Sequence, residues 1–146
     1  MRAELLRTLE QRRAEIRARW ETLLRLEKPP TPLANPDILV HLFDHTLNEV
    51  LSILPLPPVG SIPSRPVCRC DCNPLRHYYA TLEQALLETL IWVQAEEPGV
   101  GTAERVASVG ELCQRMRQVA WREILLLDGL CQCASCQAGG PEIAAE

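Results

Sequence analysis

At 146 residues the chain is long enough to bury a core without covalent staples, and 47% hydrophobic with 23% charged residues is the balance of an ordinary soluble domain. Only 4% aromatic residues and 7 glycines, against abundant Leu, Ala, Glu and Arg, favour helices over a β-sandwich. The net charge of −4 divides into +3 over residues 1–28 and −7 over the remainder, which argues against a nucleic-acid partner, since that requires a broad basic face.

The N-terminal stretch "MRAELLRTLEQRRAEIRARW" is interrupted by charges every two or three residues and has no apolar core of signal-peptide length, so no signal peptide is expected there. Its apolar positions, Leu5, Leu9, Ile16, Trp20, Leu23 and Leu24, recur near 3.6 and predict one amphipathic helix over residues 3–27. "KPPTP" at 28–32 stops it. "NPD" at 35–37 then starts a second helix, with Asn35 as cap, Pro36 in the first helical position and Asp37 near the positive end of the dipole. Its expected inner face is Leu39, Leu42, Phe43, Thr46, Val50, Ile53 and Leu54, and it ends at "PLPP". Residues 55–73, "PLPPVGSIPSRPVCRCDCN", form a loop long enough to suggest a function of its own.

Asn73 and Pro74 open a third helix whose main stripe is Tyr78, Tyr79, Leu82, Leu86, Thr89 and Val93. Leu87 and Ile91 fall on the opposite side, where they are either covered by a neighbouring segment or meet a protein partner or a second copy. After the turn "EEPGVGT", Thr102 is expected to cap a fourth helix with the core face Val106, Val109, Cys113, Met116, Ala120, Ile124 and Leu127. Four such helices predict an all-α, up-down-up-down bundle over residues 1–137, followed by a flexible tail at 138–146. No stretch approaches 18 apolar residues, so no membrane span is expected and the reading is cytoplasmic.

Six of the seven cysteines lie in two clusters, "CRCDCNP" at 68–74 and "CQCASC" at 131–136. In a reduced compartment such clusters point to metal or redox chemistry before a disulfide framework. An up-down bundle brings the start of the third helix and the end of the fourth to the same pole. Counting back 23 residues sets residue 74 level with residue 125, and Cys131 about 9 Å beyond, at about 1.5 Å per residue. The expected ligands are therefore Cys68, Cys70, Cys72, Cys131, Cys133 and Cys136. Six thiols exceed the four of a tetrahedral zinc site. The CxCxC and CxCxxC spacings also suit a two-metal thiolate cluster, and an iron–sulfur cluster is the alternative cofactor. Redox disulfides formed across the pole, and free surface thiols without a specific role, stand beside these readings.

Cys72 is the first choice among the ligands, because it precedes a helix N-terminus with Arg69 and Arg76 nearby, all of which favour thiolate. His77 is a possible nitrogen ligand, read first as an ordinary, partly exposed histidine. Cys113, far up the fourth helix on its apolar stripe, is expected to be a buried structural residue.

"HLFDHTLNE" at 41–49 sets His41 and His45 one turn apart with Asp44 and Glu49, yet 100° per residue turns His41, Asp44 and Asn48 away from the apolar stripe, toward solvent. Tyr78, Tyr79, Trp92 and Trp121 are read as core more readily than as a ligand pocket. There is no supported Ser–His–Asp arrangement and no glycine-rich phosphate loop, so no enzymatic activity is expected.

"RRAEIRARWETLL" (12–24) followed by "LANPDILVHLFDHTLNEVLSIL" (33–54) is similar to the N-terminal domain of RsbRD-type stressosome proteins, bacterial helical sensory domains usually attached to a signalling output domain. The similarity covers about the first third of the chain, and the third and fourth helices only by pattern. It implies a helical regulatory domain acting through a partner protein. It supplies no ligands, because the cysteine clusters are not part of that pattern. The expectation is thus a sensory or regulatory bundle with a cysteine metal site. A small iron–sulfur redox or electron-transfer protein is the alternative, and an interaction module using Leu87 and Ile91 a third.

Overall fold

A computed structural model describes residues 1–57, 60 and 72–130 of the chain. The described residues are helical throughout their regular structure, with no strand among them. In chain order the helices are α1 (Ala3–Gln11), α2 (Arg13–Arg25), α3 (Pro36–Leu39), α4 (Phe43–Ile53), α5 (Pro74–Glu96) and α6 (Thr102–Asp128), with single 3-10 turns at Pro32–Ala34 and Val40–Leu42. Of the 55–73 loop, residues 58, 59 and 61–71 lie outside the described residues, as do 131–146. The expected loop conformation, the flexible tail and five of the six expected ligands, Cys68, Cys70, Cys131, Cys133 and Cys136, fall there.

The first predicted helix is two. Three and four residues beyond Leu9 the inner stripe reaches Arg12 and Arg13, neither of which buries cheaply. Helical geometry lapses at Arg12, where φ is −92° and ψ 16°. Its guanidinium turns outward to Glu15, at 3.5 Å, and to Glu96. Leu5 and Leu9 before the joint, and Ile16, Trp20, Leu23 and Leu24 after it, are all buried.

The second predicted helix is likewise segmented: a short α3, a 3-10 turn, then α4. Asn35 does cap it, its Oδ1 accepting from the Asp37 amide at 3.0 Å. Leu42, expected inside, is exposed, and Leu47 and Leu51 take inner positions instead. The tighter 3-10 turn at Val40–Leu42 shifts the edge of the face: Leu39, Phe43, Thr46, Val50 and Leu54 are buried as read, while Ile53, also expected inside, is only half-buried.

Helix α5 is the centre of the packing, in contact with α1, α2 and α6. Its buried face is broad: the predicted stripe is all inside, joined by Thr81, Ala85, Leu90 and Gln94. The polar members are satisfied, Thr89 Oγ1 donating to the Ala85 carbonyl at 2.9 Å and Gln94 Nε2 to the Arg105 carbonyl at 3.2 Å. Between α5 and α6 the chain turns through Pro98 and Gly99, whose φ of +89° is a conformation that L side chains rarely adopt.

Helix α6 begins one residue earlier than its expected cap implies. Gly101 is the N-cap and makes no side-chain bond, while Thr102 is already helical. The larger correction is rotational. The buried face centres on Leu112, Met116 and Val119, with Ser108 and Arg115, not on Val106, Val109 and Cys113. Val106 is 68% exposed, and Cys113 is half-buried, not the buried cysteine expected. Leu112, Met116 and Val119 fill the core, and Arg115 joins them by burying its stem and sending its head to the Leu56 carbonyl just beyond α4. On α5, Leu87 packs partly against the core, whereas Ile91 is 58% exposed.

Candidate functional site

The start of α5 and the end of α6 are fastened together by three residues. Asn73 caps α5 with its Oδ1, which accepts from the Leu75 amide at 3.0 Å. Its Nδ2 donates in the other direction, to the Ile124 carbonyl at 3.0 Å and to Asp128 Oδ1 at 2.7 Å. The second carboxylate oxygen of Asp128 accepts from Arg76 Nη2 at 2.6 Å. Arg76 also stands over the Trp121 ring, 5.9 Å from its centroid.

Each charge in this clamp sits at the unfavourable end of its own helix. Asp128 is in the last turn of α6, where carbonyls make the end negative, and Arg76 is in the first turn of α5, where amides make it positive. Joined, each complements the neighbouring helix end instead. The Asp128 side chain is only 3% exposed, so the pairing is also what makes its burial tolerable. The meeting point at Ile124 and Asp128 brackets residue 125, the level read from helix lengths.

Cys72, immediately before Asn73, is exposed. His77, one turn into α5, is half-buried: its Nδ1 lies 3.7 Å from Glu27 Oε2, while its Nε2 is buried with no hydrogen-bond partner. Cys113 belongs elsewhere. Burial pushes its thiol up, and the charge and hydrogen bond of Glu83 push it further, against Arg117. It stands 15 residues, about 22 Å, along α6 from Asp128. Among the described residues no group of three or more His, Cys, Asp or Glu side chains is arranged to hold a metal ion.

The other expected sites resolve into packing. His41, Asp44, His45 and Asn48 are exposed, Asp44 lying 3.6 Å from Arg17, and Glu49 pairs with Arg122. Trp92, read as core, is 65% exposed, and Trp121 is partly buried against the core with Arg76 over its ring. Tyr78 packs with Trp20 and Phe43, and Tyr79 lies edge-on to Tyr78. The Tyr78 hydroxyl and Thr46 Oγ1 share a hydrogen bond of 2.8 Å. Burial pushes the Tyr78 phenol up to about 12, with that bond opposing, and burial likewise raises Tyr79.

A stability effect follows from these phenols. An unfolded tyrosine ionises near about 10. Between there and about 12 only the unfolded chain releases the Tyr78 proton, so stability is undiminished below the lower value and falls as pH rises toward the upper. Tyrosinate absorbance and loss of helical circular dichroism are expected to rise together in an alkaline titration. Tyrosinate forming at the lower value with the helices intact would contradict the burial of this ring.

Sequence reasoning missed Asp128 and Arg115. A signal for Asp128 was present: an acid in the final turn of a helix opposes the dipole and calls for a cationic partner. The chain matches no family model, no curated protein and no solved structure. No helix among the described residues is long and apolar enough to cross a membrane.

Proposed function

We propose that this chain is a cytoplasmic sensory or regulatory protein whose long helical segments run up-down-up-down and whose pole at Asn73 and Asp128 carries a cysteine metal site. The ligands are drawn from Cys68, Cys70, Cys72, Cys131, Cys133 and Cys136, and zinc is the metal, with an iron–sulfur cluster as the alternative. The observation that carries the reading is the clamp. Cys72 immediately precedes Asn73, and Cys131 follows Asp128 by three residues, a span of at most about 11 Å for an extended chain. With Asn73 and Asp128 2.7 Å apart, both thiol-rich segments leave the helices from one place. A metal there cross-links the 55–73 loop to the C-terminal segment.

The regulatory part of the reading rests on the similarity of residues 12–24 and 33–54 to stressosome sensory domains. Exposed Ile91, with Leu87 beside it, is the surface for a protein partner or second copy.

Elemental analysis of anaerobically purified protein tests the site, and visible absorbance separates the two metals. Colourless protein with stoichiometric zinc supports the reading. Brown protein with iron and sulfide moves it to an iron–sulfur sensor or to the redox or electron-transfer alternative. Protein without metal, and unable to take it up, removes it. Cys70→Ser combined with Cys133→Ser is expected to lose most of the zinc and about 1–2 kcal/mol of stability, since the helical core buries itself without the metal. Cys113→Ser is expected to leave metal content unchanged. Equal metal loss in both variants would mean the site lies elsewhere.

A further inference from the structure

Residues 3–25 carry one apolar stripe, Leu5, Leu9, Ile16, Trp20 and Leu23, and Arg12 stands in it, three residues after Leu9 and four before Ile16. The fold nevertheless divides this stretch at Arg12 into a nine-residue α1 and a thirteen-residue α2. Nothing in the local sequence calls for a break. Leu9, Glu10, Gln11, Arg12, Arg13 and Ala14 are all good helix formers. Neither Gly nor Pro marks the joint, and Arg12 makes no side-chain capping bond to α2. One continuous helix is what these residues favour by themselves.

The seat of α1 matches its sequence in apolar and charged groups alike. Leu5 and Leu9 are wholly buried and Leu6 partly, with α5 among the elements that α1 packs against. Charges frame this contact at both ends of the helix. Arg2 Nε lies 2.6 Å from Glu104 Oε1 and its Nη2 donates to the Gly99 carbonyl at 3.4 Å, while Arg12 pairs with Glu96. A second copy of this chain presents the same helix with the same groups.

We propose that α1 is exchanged between two copies of this chain. The helix straightens at Arg12, and the α1 of each copy places Leu5, Leu9 and Arg2 in the seat of the other. A joint of one residue between two helices is a hinge of the kind that permits such exchange. Nine residues released alone would make a marginal helix, but continuous with α2 they extend one over residues 3–25, about 34 Å long. Exchange remakes every contact of α1 across the dimer, so the two forms differ by the joint and by the entropy of association, and protein concentration sets the balance. The exchanged surface is separate from that of Leu87 and Ile91, and the inference does not depend on a metal.

The test refolds the full-length chain from urea at several concentrations under reducing conditions and follows it by sedimentation velocity and native mass spectrometry. Wild type is expected to populate a dimer whose share rises with the concentration of refolding. Arg2→Glu sets like charges against Glu104 within its own chain, and Glu104→Arg does the same against Arg2. When these two variants are refolded together, an exchanged heterodimer pairs opposite charges at both seats. It should exceed each homodimer by at least about fivefold, against about twofold for random pairing. Ala14→Pro falls in the first turn of α2, where proline is tolerated, but in the interior of the straightened helix, where it is not. That variant should keep the helical signal of wild type and raise the dimer dissociation constant by at least about 100-fold. A wild-type chain that stays monomeric at every concentration overturns the proposal, as does a folded Ala14→Pro chain that dimerises like wild type. Random pairing of the charge variants also overturns it, and means a dimer formed through another face such as that of Ile91.

Discussion

Replacing Trp20 by alanine is expected to cost about 3–5 kcal/mol, a large fraction of the stability of a domain of this size. The Trp20 side chain is fully buried and is the point at which three helices meet. Its ring lies 3.8 Å from that of Phe43 on α4, nearly parallel at 8°, and 4.7 Å from Tyr78 on α5. Its Nε1 donates to the Tyr78 carbonyl at 3.0 Å and to Thr81 Oγ1 at 3.2 Å, so the indole serves as both apolar wedge and polar bracket. Truncation opens a cavity against rings too rigid to collapse into it. Trp20→Phe separates the contributions. The stack is largely kept and the indole bonds are lost, but Thr81 Oγ1 retains its bond to the His77 carbonyl at 2.9 Å, so about 1–2 kcal/mol should go. Urea unfolding measures both, as a lower midpoint with an unchanged slope. The control is Trp92→Ala, which removes the same chemistry from an exposed position on α5 and should cost under about 0.5 kcal/mol. Equal losses for Trp20 and Trp92 would deny this cluster its place in the core.

Where a residue type leaves the backbone little choice, the chain could be read directly. The two Asn-Pro pairs start α3 and α5 as expected, because a side-chain acceptor followed by a fixed φ has few other uses. The stripe of α5 was also readable, since large apolar side chains occupy it from Tyr78 to Val93 with only threonine intervening. Helix α6 was not. It carries two overlapping apolar stripes, and the one chosen by the fold contains Ser108 and Arg115, which periodicity alone assigns to the outside. Arg115 is accommodated there by reaching the Leu56 carbonyl, a contact 59 residues away in sequence. The partner that Arg12 finds at the break, Glu96 at the far end of α5, is likewise distant in sequence.

At the candidate site the same division holds. The cysteine spacing and the cap at Asn73 were visible in the sequence, but the Arg76–Asp128 pair spans 52 residues and leaves no periodic trace. The orphaned Nε2 of His77 has no sequence signature at all, since it depends on what surrounds the ring.

Asp128→Ala is expected to act on the helices and on the metal together. The substitution removes the acceptor for both Asn73 and Arg76. Removing one partner of a fully buried pair costs about 3–5 kcal/mol. Arg76 is 30% exposed and recovers part of its hydration, so about 2–3 kcal/mol is the expected loss. Asp128→Asn, which keeps an acceptor for Asn73 but no charge, should lose about half of that. Under the proposed metal reading the two cysteine segments start beside this contact, so loosening it is expected to lower the effective concentration of one set of thiols at the other. Zinc should then stabilise Asp128→Ala less than wild type at equal free metal, as bound-state stabilisation follows RT ln(1 + [L]/Kd). Thermal unfolding with and without zinc reads both effects, and a double-mutant cycle with Arg76→Ala isolates the ion pair. The direction of the zinc term is decisive. If Asp128→Ala lowers stability yet gains from zinc as much as wild type, the clamp holds helices without organising a metal site, and the thiols of the two segments do not depend on it to meet.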